Sequence, residues 1–212
     1  MSLEARIVEV RGRVARAARG REVTLVAVSK THPAEAIRAA HAAGLRVFGE
    51  NYVQELAAKQ VALADLGDVA WHFLGHLQRN KAKDVAGRVA LVHGVDSLAL
   101  AQALDRRAAA PQDILIEVNT AGEASKAGVA PADVPALLEG LRPLAKVRCR
   151  GLMCIPPAGE DNRLRFRALA ELAREHALPE LSMGMSEDYE VAIEEGATIV
   201  RVGTAIFGRR EA

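Results

Sequence analysis

The chain has 212 residues, half of them hydrophobic and 26% charged, which predicts one soluble domain spanning residues 1–212 with enough apolar surface to close a core. A formal net charge of +1 gives no field that would draw in nucleic acid or a membrane surface, and 3% aromatics leave few platforms on which single strands could stack. No leader-like segment opens the chain and no apolar run reaches membrane-spanning length, so the expected location is the cytoplasm.

The elements then alternate along the chain. Ser2 to about Arg19 places Leu3, Ile7, Val10 and Val14 on one stripe and predicts an amphipathic helix. Val23–Ser29 reads as a strand, Pro33–Ala43 as a helix closed by Gly44, Arg46–Gly49 as a strand and Tyr52–Ala64 as a helix. Ala70–Leu74 (strand), Arg79–Ala86 (helix), Val89–His93 (strand) and Ser97–Ala109 (helix) continue the pattern. Asp113–Asn119, Val147–Ile155, Leu181–Gly184 and Thr198–Gly203 are the remaining strands. Between them lie helices Pro131–Gly140, Leu164–His176 and Glu187–Glu195, and Ala205–Arg209 is a short final turn.

Strict alternation with short connections implies parallel strands and right-handed crossovers. Eight units predict a (β/α)8 barrel, with the Ser2–Arg19 helix as an addition at the N-terminus. The competing fold is an open doubly wound sheet, but no Gly-x-Gly-x-x-Gly turn follows the first strand. Cys149 and Cys154 lie five apart on one predicted strand, which turns them to opposite faces. That spacing suits neither a disulfide nor a usual zinc site, and it predicts a reducing compartment.

Barrels place their chemistry at the carboxyl ends of the strands. Those ends are Lys30, Glu50-Asn51, Gly75-His76, Asp96, Asn119, Ile155-Pro156, Met185-Ser186 and Gly203-Thr204. Lys30 ends an apolar strand, where a wall of aliphatic side chains favours the neutral amine, the form that attacks an aldehyde. An isolated lysine at a strand end more often simply reaches for water, so the neighbouring features must decide. Ser186 stands where the cap of the Glu187–Glu195 helix belongs, and a helix start binds anions. The backbone at Gly203 and Thr204 forms a second corner able to take phosphate oxygens, and barrel phosphate sites commonly use the loops after strands seven and eight. Arg201, two residues before Gly203 on the same face, points inward and needs an acceptor. The acceptor is either a buried acid, with Glu117, Asp188 and Glu50 the candidates, or a ligand atom such as a ring nitrogen.

An amine, a two-cornered phosphate cup and an inward arginine together suit pyridoxal 5′-phosphate. The sequence resembles the pyridoxal phosphate homeostasis proteins, single-domain barrels similar to the N-terminal domain of alanine racemase. The resemblance rests on Leu25-Val-Ala-Val-Ser-Lys30-Thr, Phe48-Gly-Glu-Asn51-Tyr-Val-Gln-Glu55 and Trp71-His72-Phe-Leu-Gly75-His-Leu-Gln78-Arg-Asn80-Lys81. It continues through Ile116-Glu-Val-Asn119, Ser125-Lys-Ala-Gly128, Gly151-Leu-Met153, Leu181-Ser-Met-Gly184-Met-Ser186-Glu-Asp188 and Arg201-Val-Gly203-Thr-Ala-Ile-Phe-Gly208, so it spans nearly the whole chain. It implies that Lys30 holds the cofactor as a Schiff base, that Ser186, Gly203 and Thr204 bind its phosphate, that Arg201 faces the ring nitrogen and that Asn51 lies beside the ring. His76 departs from the family pattern, in which proline or a small residue is expected, and its role is open. Lys126 falls in a family motif without an assigned contact.

An arginine facing the ring nitrogen stays protonated, donates, and leaves that nitrogen unprotonated, which weakens the ring as an electron sink. A racemase built this way needs a base on each face of the substrate carbon. By resemblance to alanine racemase the second base is a tyrosine near a second domain, and here the only tyrosines are Tyr52 and Tyr189, at predicted helix starts. The expectation is a monomeric, non-catalytic carrier that stores, buffers or delivers the cofactor, with cofactor-dependent apo-enzymes as recipients. A weak amino-acid racemase is the first alternative and a cofactor-free Schiff-base aldolase the second. His72 and His76 lie four apart but flank a strand end, which argues against a metal pair, and no metal is expected. Lys81 and Lys83 read as solvated, and Glu50 and Glu55 as groups that orient neighbours at the mouth.

Overall fold

Eight parallel strands close into one barrel in the computed structural model, which describes residues 1–122, 127–157 and 159–208. The strands are β1 (Thr24–Val28), β2 (Val47–Glu50), β3 (Ala70–Phe73), β4 (Leu91–Val95), β5 (Gln112–Glu117), β6 (Val147–Met153), β7 (Glu180–Ser182) and β8 (Ile199–Val202). The helices are α1 (Leu3–Ala18), α2 (Ala34–Ala42), α3 (Val53–Ala62), α4 (Ala82–Val85), α5 (Leu98–Arg107), α6 (Val134–Leu141), α7 (Arg163–Glu175), α8 (Tyr189–Glu194) and α9 (Thr204–Phe207). The expected barrel, with its additional N-terminal helix, is the fold observed.

Alternation along each strand divides the apolar residues into two layers. Val26, Leu74, Leu91, Leu115, Met153 and Ile199 fill the bore, with Val28 and Val47 packed against them. The opposite faces join the larger layer beneath the helices, where Ala27, Phe48, Phe73, Ile114, Ile116, Val200 and Val202 meet residues such as Ile37, Leu56 and Leu104. In α1, the hydroxyl of Ser2 accepts from the Ala5 N–H, and the helix ends at Arg19 in the left-handed region. Its stripe of Ile7, Val10, Val14 and Ala18 is buried, and it packs on α8 and α9 across the seam where the barrel closes. Arg6 Nε donates to Ile206 O at 2.6 Å and ties α1 to α9.

The structure differs from the sequence-based expectation in several places, four of which bear on the site. Arg79–Ala86 is a 3₁₀ turn (Arg79–Lys81) followed by the single turn of α4. β4 begins and ends two residues later than expected, so His93 lies inside the strand instead of ending it. The register between β5 and β6 steps from Ile114–Cys149 to Leu115–Gly151, making Arg150 a bulge residue. The simple alternation argument therefore fails for Cys149 and Cys154, although both are free thiols. Finally, α8 starts at Tyr189 behind Asp188, two residues later than a Ser186 cap requires.

Gly75 follows β3 where the chain passes under Asn51, and a Cβ there would stand 2.1 Å from the Asn51 carbonyl oxygen. Backbone, unlike a long side chain, cannot yield cheaply to such a contact. Gly75→Ala is predicted to lower the unfolding free energy by about 2 kcal/mol or more in urea titrations. Gly67→Ala meets nothing within 4 Å and is the matched control, expected within about 0.5 kcal/mol of the parent.

Candidate functional site

β1 pairs with β2 on one side and β8 on the other, so the segment after it is bordered by both. Val26 and Val28 face the bore, and Lys30, half-buried, follows two residues on in the turn after β1. Ser29 turns the other way, is fully buried, and donates to Glu50 Oε1 at 2.6 Å. The ammonium of Lys59, on α3, donates to Ser29 O at 2.8 Å, Glu50 Oε1 at 2.8 Å and Glu55 Oε2 at 3.0 Å. Glu55 Oε2 also accepts from the Thr31 N–H at 2.7 Å. The peptides on both sides of Lys30 are thus held by one knot of buried charge. Thr31 has φ +66°, a left-handed conformation that costs a β-branched residue on the order of 1–2 kcal/mol. The neighbouring His32 ring stacks on Phe207 at 4.9 Å. Burial pushes the Glu50 carboxyl up, opposed by Lys59 and Ser29. Burial also works against Glu55, but the Thr31 N–H and Lys59 hold its carboxyl below the usual range.

Arg201 is buried and inward, as expected. Its protein acceptors are none of Glu117, Asp188 and Glu50, the acids that formed one of the two alternatives. Nη1 donates to Ser182 Oγ at 2.6 Å and Nη2 to Cys154 O at 2.8 Å. Burial pulls its pKa down, opposed by electrostatic interaction with the neighbouring Cys154, Glu117 and Asp188. Behind Ser182, Nδ1 of His93 lies 2.9 Å from Oγ, and Nε2 of His93 lies 3.0 Å from Nδ1 of His72. Burial lowers the pKa of His72 to about 4 and that of His93 well below the ordinary value, so both rings are neutral at pH 7. The Cys154 thiol is pushed up to about 12 by burial and is inert.

Ser186 corrects its expected role. Asp188 occupies the position before α8, and its Oδ1 accepts from the Met185 N–H at 2.7 Å. The Ser186 hydroxyl instead accepts from the N–H groups of Gly203 at 3.3 Å and Ala205 at 3.4 Å. The two corners expected to share an anion therefore share one oxygen, drawn there by two backbone donors. A Cβ on Gly203 would lie 3.3 Å from Val28 O, so this corner packs directly against the end of β1. Thr204 is exposed as the first residue of α9. Asn51 Oδ1 is buried without a hydrogen-bond partner, an arrangement that costs about 1–3 kcal/mol unless a ligand or water supplies a donor. A bound amine-reactive phosphate compound fits these donors and this orphaned acceptor.

His76 pairs with Asp96 at 3.4 Å and is mostly exposed. Both border a groove of about 830 Å³ that runs along α5 to Arg106 and Arg107, on the flank of the barrel. His72 faces the interior, so the two histidines have different neighbours. Tyr189 is buried with its ring under the Arg13 guanidinium of α1, 5.3 Å away, and Tyr52 is exposed. Lys126 lies outside the described residues. Sequence reading missed Lys59, His93 and Ser182. Lys59 is four residues from Glu55, a spacing that does signal a helical ion pair, but nothing local shows that the pair is buried beneath a lysine loop.

The alanine racemase N-terminal domain model matches residues 4–211. The pyridoxal phosphate homeostasis protein of Pseudomonas aeruginosa is 49% identical over 215 residues, covering 96% of this chain and 93% of that protein. The protein of the same name from Aquifex aeolicus is 50% identical over 209 residues, covering 92% and 91%. Among solved structures, PipY of Synechococcus elongatus with pyridoxal phosphate bound superposes with a TM-score of 0.88 at 42% identity, covering 98% of this chain and 100% of that one.

Removing Lys59 would leave Glu50 buried and uncompensated. Lys59→Met is predicted to cost about 3 kcal/mol in urea unfolding, and Lys59→Met with Glu50→Gln to recover more than half. The neutral histidines set a pH dependence. Below pH 6.5 the unfolded chain takes up a proton that the folded His72 refuses until about pH 4. Stability from His72 is therefore complete above 6.5 and lost as pH falls toward 4, by about 3 kcal/mol. Urea titrations at pH 7 and pH 4.5 should show a larger loss for the parent than for His72→Asn.

Proposed function

We propose, from the premise that this chain belongs to the pyridoxal phosphate homeostasis protein family, that it binds pyridoxal 5′-phosphate at the carboxyl end of its barrel. In this reading it buffers the cofactor in the cytoplasm and releases it to apo-enzymes. The observation that carries the reading is the corner where Ser186 Oγ accepts from the Gly203 and Ala205 N–H groups, packed against the end of β1 just before Lys30, with Arg201 buried two residues before Gly203. A 42% identical structure with the cofactor bound supports it.

The bound cofactor supplies an aldehyde carbon that an amine can capture and a ring that withdraws electrons. Lys30 is the amine, fixed by the knot around Ser29 and Thr31. Ser186, Gly203 and Thr204 would hold the phosphate, the Ser186 hydroxyl having a proton it could donate to a phosphate oxygen. Arg201 would donate to the ring nitrogen, and Asn51 would offer its unpartnered Oδ1 to the bound group. A permanent cation at the nitrogen keeps it from gaining a proton, so carbanion chemistry is weakly supported. Neither tyrosine is set up as a second base, since Tyr189 is covered by Arg13 and Tyr52 faces solvent. The reading is therefore a carrier with no catalysis of its own.

Titration with pyridoxal 5′-phosphate should produce a visible absorption band in the parent and none in Lys30→Ala. Ser186→Ala should keep the band and bind about tenfold more weakly, from loss of a hydrogen bond to a charged group. Amino-acid racemisation should stay at the Lys30→Ala background. Robust turnover lost in Lys30→Ala would overturn the carrier reading.

A further inference from the structure

The bore of a barrel is ordinarily filled by branched aliphatic side chains, because an unpaired polar group there costs more than it returns. Here two imidazoles and a hydroxyl cross it. His72 on β3 and His93 on β4 lie opposite Ser182 on β7 and Arg201 on β8, and the four form an unbroken line at 3.0, 2.9 and 2.6 Å. Ser182 and His93 are fully buried.

The direction of the line follows from donor counting. Arginine only donates, so Ser182 Oγ accepts from Arg201. The serine has one proton, and His93 Nδ1 is the other partner of Oγ among the described residues. The oxygen could accept from both neighbours, but the buried serine proton would then have no acceptor among the described residues; that proton therefore goes to Nδ1, which places the His93 proton on Nε2. Nε2 then donates to Nδ1 of His72, leaving the proton of His72 on its own Nε2. Every donor points away from Arg201, and neither ring has to be charged.

We propose that His93 and Ser182, backed by His72, are positioning residues for Arg201: they lock one guanidinium nitrogen at the far side of the bore so that the remaining N–H groups meet the ring nitrogen of the cofactor at a fixed angle. The carbonyl of Cys154 pins the second nitrogen. A carboxylate could anchor the guanidinium as well, but it would drain the positive charge that the ring nitrogen feels; a neutral line anchors the arginine without neutralising it. The inference rests on the reading that Arg201 faces the ring nitrogen.

The test compares the parent with Ser182→Ala, His93→Phe, Ser182→Thr and Arg201→Gln, each loaded with pyridoxal 5′-phosphate. Occupancy is checked by borohydride trapping, and the visible spectrum, cofactor affinity and melting temperature are recorded. Ser182→Ala and His93→Phe should move the visible band in the same direction as Arg201→Gln and weaken binding about tenfold. Ser182→Thr, which keeps the hydroxyl, should restore the parental band. Loss of melting temperature in Ser182→Ala and His93→Phe with band and affinity unchanged would show that the line only packs the bore, and would overturn the proposal. An unchanged band in Arg201→Gln would instead remove the reading of Arg201 on which it rests. Should the His93 variant not fold, ¹⁵N NMR of the cofactor-free parent at pH 7 decides the direction. Both rings should be neutral with the proton on Nε2, and a proton on Nδ1 of His93 contradicts the line as drawn.

Discussion

The pairing of β1 with β8 closes the barrel, and the juxtapositions at its mouth depend on that closure. Thr24 to Ala27 run beside Ile199 to Val202, so the turn after β1 that carries Lys30 leaves the barrel next to the corner at Gly203. Gly203 has no room for a side chain without pressing on Val28 O, which keeps the corner and the lysine loop in contact. α9 follows directly, stacks Phe207 on His32, and takes the Arg6 anchor from α1 at the carbonyl of Ile206. The N-terminal helix is thereby part of how the first and last strands stay together.

Around this closure the interior spends buried charge in two places, and each serves a different side chain. The Glu50–Lys59–Glu55 knot faces the helix layer and fixes the peptides on either side of Lys30, including the strained Thr31. The His72–His93–Ser182 line lies in the bore and meets Arg201. Buried ionic and polar groups are poor sources of net stability, since desolvation offsets most of their attraction. Their return is geometry: fixed peptides on either side of Lys30 and an arginine held at two of its nitrogens, which suit the covalent capture and directed hydrogen bond proposed for them.

Much of this was legible in the sequence. The alternation of β-branched runs with helical stripes set out eight strand–helix units, and the strand ends named from it included Lys30, Asn51, Ser186 and Gly203. The inward aim of Arg201 followed from the two-residue period before Gly203. What sequence could not supply were pairings between distant strands. Ser182 and His93 are 89 residues apart and meet only because β4 and β7 lie across a closed ring. The extra residue at Arg150 and the late start of α8 were also invisible, because a bulge and a loop–helix boundary are settled by tertiary hydrogen bonds such as Asp188 to the Met185 N–H. That boundary is why the Ser186 hydroxyl serves the backbone of Gly203 and Ala205 and not α8.

The central claim is that a single amine at the end of β1 is the covalent anchor of the cofactor. Borohydride reduction of the protein loaded with pyridoxal 5′-phosphate, followed by peptide mapping, tests it directly. The account predicts one stable pyridoxyl label, on Lys30. A label on another lysine, or none on a protein that still retains the cofactor, would contradict it.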